Sequence, residues 1–189
     1  MSAKTKITFL NNIVTKQYRR DLKLYFFNEI TCLQLLRKEY ISKYYDNYPF
    51  PVLLDIDESN LSFKMNYCGV TLQKNVKFKP NKLHLQLKNV FFNLKKCNIL
   101  YKDIHPENIC INSLGNIYFI DFEVAFLMNF EEHNNVLTFD KSQYKWSTEY
   151  YNSYYEEPED INIFNNLNSN SEKREWKGNP WSIVRMVDN

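Results

Sequence analysis

Leu100-Tyr101-Lys102-Asp103-Ile104-His105-Pro106-Glu107-Asn108 runs into Ile109-Cys110-Ile111, then Asn112-Ser113-Leu114-Gly115-Asn116, then Ile117-Tyr118-Phe119-Ile120 and Asp121-Phe122-Glu123-Val124-Ala125-Phe126. The two isoleucine-rich runs are β-prone and the residues between them form turns, so the stretch predicts a β-hairpin. Asn108 immediately precedes the first strand and Asp121 immediately follows the second, which puts both at the hairpin's open end. Neighbouring strands lie about 4.8 Å apart, so an amide oxygen and a carboxylate there can share one hard cation such as Mg2+. Asp103 precedes Asn108 by five residues, with Pro106 constraining the loop, so its carboxylate can face the same pocket and accept a proton from an incoming hydroxyl. Singly, Asp and Asn beside turns usually cap backbone groups. Together they form a phosphoryl-transfer layout.

Upstream, Ile7 to Leu10, Asn11-Asn12 and Ile13 to Tyr18 predict another hairpin, because an Asn pair tolerates the positive φ of a tight two-residue turn. From Asp21 to Tyr40, Leu22, Phe26, Leu33 and Leu36 recur at helical spacing, with Asp21 as the expected N-cap. Glu29 falls on that apolar stripe, three residues after Phe26 and four before Leu33. A carboxylate facing a core is costly unless paired, and Lys16 on the preceding strand is the natural partner. Tyr48-Pro49-Phe50-Pro51 then stops any helix, and Val52 to Ile56 and Leu61 to Tyr67 predict a further hairpin. Cys68-Gly69-Val70 breaks the pattern before a helix expected over Lys82 to Cys97, with Leu83, Leu87, Val90, Phe91 and Leu94 on one side.

The D-x-x-x-x-N, hairpin, D-F arrangement resembles the protein-kinase-like superfamily, whose pattern is H-R-D-x-x-x-x-N followed by D-F-G. On that resemblance Asp103 stands at the catalytic aspartate, Asn108 at the metal-binding asparagine, and Asp121 at the aspartate that holds magnesium. Met65 to Leu72 looks like the strand and hinge over which kinases lay adenine, which gives Met65 and Tyr67 a nucleotide-binding role. Leu83 to Leu100 looks like the long helix leading into the catalytic loop. Lys16 with Glu29 is similar to the kinase pairing of a strand lysine, which holds the nucleotide phosphates, with a helix glutamate. The likeness spans residues 7–126. It implies an α+β, protein-kinase-like two-lobed fold, with a small antiparallel N-terminal sheet plus helix and an abbreviated helical C-terminal lobe. The corresponding divisions are 1–67, a hinge and catalytic part over 68–160, and an asparagine-rich loop with a C-terminal docking segment over 161–189.

The departures are specific. Tyr101 and Lys102 replace the usual His and Arg, and Glu123 replaces the Gly of D-F-G. The only glycines are Gly69, Gly115 and Gly178, so no glycine-rich loop covers the phosphates. Only 68 residues follow Asp121, without an A-P-E motif, which is why the helical lobe is expected to be abbreviated. His105 stands where serine/threonine kinases usually carry Lys, while D-x-H-P-x-N with I-D-F-E is similar to aminoglycoside-phosphotransferase-type kinases. His105 either balances γ-phosphate charge or packs beneath the loop.

The resemblance thus implies an ATP- and Mg2+-dependent phosphotransferase, foremost a minimal serine/threonine protein kinase, with Asp103, Lys16, Glu29 and His105 in catalysis. A small-molecule kinase, or a pseudokinase serving as a binding module, are the alternatives. The expected partners are ATP and a hydroxyl-bearing protein or small molecule; neither a membrane nor nucleic acid is expected, and the oligomeric state is open.

Composition is compatible with this. Hydrophobic residues make up 44% of the 189 and charged residues 24%, enough apolar surface for a folded core. No apolar run reaches the roughly 18 residues of a membrane helix, and the start lacks an apolar signal stretch, so a cytosolic or nuclear location is expected. Cys32, Cys68, Cys97 and Cys110 include no C-x-x-C pair, which argues against structural metal. The net charge of +2 hides an asymmetry: residues 1–120 hold 18 Lys and Arg against 9 Asp and Glu, whereas residues 121–160 hold 2 against 10. An acidic aromatic loop around Tyr150, Tyr151, Tyr154, Tyr155 and Glu156 to Asp160 is therefore expected to lie on the basic body, and Trp176 and Trp181 to anchor a final segment.

Overall fold

The structure, a computed structural model, describes residues 5–74, 77–128, 153–158 and 180–184. It is α+β. Strands β1 (Thr5–Leu10) and β2 (Ile13–Tyr18) form the first hairpin, and Asn11 and Asn12 have φ of 49° and 61°, the two positive values that a tight two-residue turn requires. Helix α1 (Lys23–Glu39) follows, then β3 (Leu53–Asp57) and β4 (Ser62–Asn66). The four strands make one antiparallel sheet in the order β1-β2-β4-β3.

Register decides which side chains share a face. Val14 stands opposite Met65 and Lys16 opposite Phe63, and β2 alternates so that Val14, Lys16 and Tyr18 are all buried. Val14, Tyr18, Phe63 and Met65 pack with Phe26 and Ile30 of α1 into one apolar cluster. Lys16 therefore projects from an otherwise apolar row, where an ammonium persists only if it is paired.

The helix begins differently from the sequence expectation. A single 3-10 turn, Arg20–Leu22, precedes α1, and Asp21 caps nothing. Its carboxylate is taken by the Arg19 guanidinium, with Nε at 2.9 Å from Oδ1 and Nη2 on Oδ2. A bidentate charged pair two residues away is a stronger partner than a backbone N–H at this exposed position.

After β4 the chain crosses through Gly69 to β5 (Val70–Thr71), which pairs with β7 (Ile109–Ile111). Gly69 has φ of 105°, and a Cβ there would lie 2.2 Å from the Ile111 carbonyl oxygen, so only glycine fits. Helix α2 (Leu83–Lys96) buries Leu87, Val90, Phe91 and Leu94 in a second cluster with Ile109, Ile117, Phe119 and Phe122. It matches the helix expected over Lys82 to Cys97 and stops short of Leu100, the end of the stretch likened to the long kinase helix: Asn98 turns with φ of 53°, and Ile99–Leu100 form β6, paired with β9 (Phe126–Leu127). Strand β8 (Ile117–Phe119) completes a hairpin with β7. Buried Gln86 of α2 pins that hairpin, accepting from Ile117 N–H at 2.8 Å and donating to Gly115 O at 2.8 Å.

The described parts of the acidic and C-terminal segments dock on this core. Tyr155 stacks on Phe91, and Trp181 meets the same ring edge-on while donating from Nε1 to the Tyr155 carbonyl at 3.4 Å. Glu157 pairs with Lys88 at 2.8 Å and His84 at 3.0 Å, on the outer face of α2. This is the expected acidic aromatic segment lying on basic surface; Tyr150, Tyr151, Glu159, Asp160, Trp176 and the asparagine-rich stretch lie outside the described residues. No described helix is long and apolar enough to cross a membrane.

Candidate active site

Two side-chain groups meet at the open end of the β7–β8 hairpin. The first surrounds Lys16, whose Nζ lies 2.7 Å from Glu29 Oε2, 2.7 Å from Asp121 Oδ1 and 3.4 Å from Glu123 Oε2. The Tyr18 hydroxyl, two residues along the same strand face, also donates to Glu29 Oε2, and Glu29 Oε1 accepts from Phe122 N–H at 3.3 Å. The lysine and glutamate side chains are 4% and 1% exposed, while Asp121 reaches 33%, so the group opens to solvent on the aspartate side.

Three carboxylates against one ammonium set the electrostatics. Burial alone pushes the Lys16 pKa down, but the charges of Glu29, Asp121 and Glu123 outweigh it and hold the ammonium above the ordinary lysine value. Burial, with a contribution from nearby Asp121, pushes the Glu29 carboxyl up despite Lys16. Burial beside Glu29 likewise keeps the Tyr18 phenol protonated.

The second group is the loop before β7. Asn108 Nδ2 donates to the Asp103 carbonyl at 3.1 Å and to its Oδ2 at 2.8 Å, and His105 Nε2 lies 3.5 Å from the same Oδ2. Buried Tyr101 supports the loop from below. Its hydroxyl donates to Ile120 O at 2.6 Å, and its ring contacts Phe122 and Phe119. The groups are joined through the hairpin end, where Ile120 N–H donates to Asn108 O at 3.0 Å. Strand β8 ends at Phe119 rather than Ile120, and Asp121 turns out of it with φ of 63°, a left-handed conformation that Asp tolerates.

Lys16, Glu29 and Asp121 thus come together directly, as do Asp103, Asn108 and His105. Met65 lies on β4 in the apolar cluster beside Val14. Tyr67 stands further out, 41% exposed, its N–H on Asn12 O and its ring edge-on to Phe9; these residues border an open cavity of about 420 Å³. Neither touches Lys16 among the described contacts.

The donor set suits a hard divalent cation. Asn108 commits its nitrogen to Asp103 and retains its amide oxygen, Asp121 binds Lys16 through one oxygen and retains the other, and carboxylate oxygens of Glu29, Asp121 and Glu123 lie within 4.8 Å of one another. All are oxygen ligands of the kind Mg2+ selects.

Sequence reasoning missed three members of this site. Glu123 registers there only as a departure from D-F-G, Tyr18 is signalled by its two-residue spacing from Lys16, and Asn28 by being a second polar residue beside Glu29 on the buried helix face. Asn28 Nδ2 donates to the carbonyls of Phe122, Glu123 and Ala125.

No known family model matches the chain, and no curated protein matches it. Solved structures do match in fold. Over 67% of this chain and 31% of the other, the bifunctional kinase-methyltransferase WbdD superposes with a TM-score of 0.50 at 17% identity. WbdD co-crystallised with the kinase inhibitor LY294002 superposes with a TM-score of 0.50 at 17% identity, over 69% and 33%. The chain spans about a third of the length of these structures, and the likeness shows a kinase-like fold.

Proposed function

We propose that this chain is an ATP- and Mg2+-dependent phosphotransferase of two-lobed, protein-kinase-like layout, foremost a minimal serine/threonine protein kinase, with a small-molecule acceptor as the alternative. The observation that carries this reading is the joining of Lys16, Glu29 and Asp121 to the Asp103–Asn108 loop through the Ile120–Asn108 hydrogen bond. Glu29 and Tyr18 hold the Lys16 ammonium in place, charged, where it meets nucleotide phosphates. Asn108 and Asp121 would hold Mg2+, which supplies charge neutralisation on the transferring phosphoryl group. Asp103, oriented by Asn108, accepts the proton of the acceptor hydroxyl, and His105 stands beside it, where its ring can meet the phosphate. Met65 and Tyr67 flank the place where the base is expected. Catalysis is then chiefly positioning and electrostatics.

The crowding of three carboxylates on Lys16, and the absence of a glycine-rich loop from the sequence, favour a second reading: a nucleotide-binding pseudokinase. The two separate on ATP turnover by the purified chain with Mg2+, compared with Asp103→Asn. The kinase reading expects turnover that falls by about two to four orders of magnitude in the variant while nucleotide binding persists. Binding without turnover on any acceptor leaves the pseudokinase, and a chain that binds no nucleotide ends both.

A further inference from the structure

We propose that Asn28 is a positioning residue of this site, fixing the metal-bearing loop onto α1 by its side-chain amide. The inference rests on the phosphotransferase reading above. Asn28 is 1% exposed, and its Nδ2 lies 3.0, 3.1 and 2.9 Å from the carbonyl oxygens of Phe122, Glu123 and Ala125. The loop is folded for this contact: Ala125 N–H donates to Phe122 O at 3.1 Å, closing a turn whose carbonyls converge on one amide. Three oxygens on one side fix the amide's orientation, since the flipped group would set Oδ1 against them.

The arrangement is costly at the other end of the amide. Oδ1 of Asn28 is buried without a hydrogen-bond partner. A leucine in that place would avoid the orphan acceptor but take this donor from the Glu123 and Ala125 carbonyls and leave Phe122 O with the Ala125 N–H alone. The polar residue is explained by what its nitrogen holds.

What it holds is the segment immediately after Asp121. Lys16 is the described side-chain partner of Asp121, at 2.7 Å. When a phosphate draws Lys16 away, Asp121 loses that tie, and the grip on residues 122–125 keeps its backbone in place. The adjacent Glu29 fixes Lys16 and takes Phe122 N–H, so one turn of α1 sets the phosphate-binding cation and the metal-binding loop relative to each other.

The test is a Mg2+ titration of binding of a non-hydrolysable ATP analogue, together with backbone hydrogen exchange, on wild type and Asn28→Ala. The expected result is an Mg2+ midpoint raised about tenfold in the variant, the scale of one or two lost hydrogen bonds, with analogue affinity at saturating Mg2+ near wild type. Exchange should quicken over residues 120–127 while α1 stays protected. Asn28→Gln, which keeps the donor on a longer stem, should fall between the two. Where Asn28→Ala does not fold, Asn28→Leu, with the same number of side-chain heavy atoms and without a donor, carries the same titration. A folded variant with lowered melting temperature but an unchanged Mg2+ midpoint overturns the positioning role alone. A wild type with no Mg2+-dependent binding overturns the phosphotransferase reading and this inference with it.

Discussion

Lys16 and Asp121 are 105 residues apart in the chain and 2.7 Å apart in space. This contact ties the β1–β4 sheet to the end of the β7–β8 hairpin, and Glu29 and Glu123 complete the cage around the ammonium. Lys16→Met would leave the buried Glu29 carboxylate facing those of Asp121 and Glu123 with no cation between them. Breaking such a group by removing one partner should cost about 3–5 kcal/mol. Urea unfolding at neutral pH reads this directly. Adding Glu29→Gln should return part of the loss, whereas simple additivity would show that the groups do not interact.

A pH dependence follows from the upward push on Glu29. A carboxyl whose folded pKa exceeds the ordinary glutamate value of 4.5 contributes its full stability below that value and loses it as pH rises through the folded pKa. The stability of wild type relative to Glu29→Gln, which has no carboxyl to ionise, should therefore fall with increasing pH above 4.5. Denaturant midpoints of both proteins across mildly acid to neutral pH measure the difference. A flat difference, or one that rises, contradicts the assignment.

Gly69→Ala should be among the most damaging single-methyl additions. The left-handed φ costs an L-residue energy by itself, and the added Cβ would sit 2.2 Å from the Ile111 carbonyl oxygen, so β5 must part from β7. A loss of roughly 2–4 kcal/mol is expected in thermal or denaturant unfolding. An unchanged midpoint would mean that the crossing can shift freely.

Tyr155→Phe tests the docking of the acidic segment. The Tyr155 hydroxyl accepts from Tyr101 N–H at 2.7 Å and donates to Ile99 O at 2.9 Å, both buried. Its removal strands two backbone groups just before the Asp103–Asn108 loop, at a cost of about 1–3 kcal/mol. The Glu157 pairs with Lys88 and His84 are half exposed, so Glu157→Gln should change stability by less than about 1 kcal/mol. Comparable losses in the two variants would contradict this ranking.

Much of the framework was legible because local chemistry and global fold agree. Asn11-Asn12 announced their turn through the backbone angles they tolerate, and Glu29 on an apolar stripe announced a buried partner. Asp21 misled because a cap and an ion pair use the same carboxylate, and Arg19 won it. Strands β6 and β9 left no signal: at two residues each they show no periodicity, and only their pairing makes them strands.

The order of the residues by itself determined the three hairpins, the two helices and the placing of Asn108 and Asp121 at the open end of one hairpin, because these depend on short-range periodicity, turn chemistry and strand spacing. Only the tertiary structure decided that Glu123 joins the cage around Lys16 and that Asn28 grips the loop beyond Asp121. The reason is physical. A carboxylate's partner depends on where folding carries it, and every residue supplies a carbonyl, so the ones that Asn28 holds are marked by no side chain.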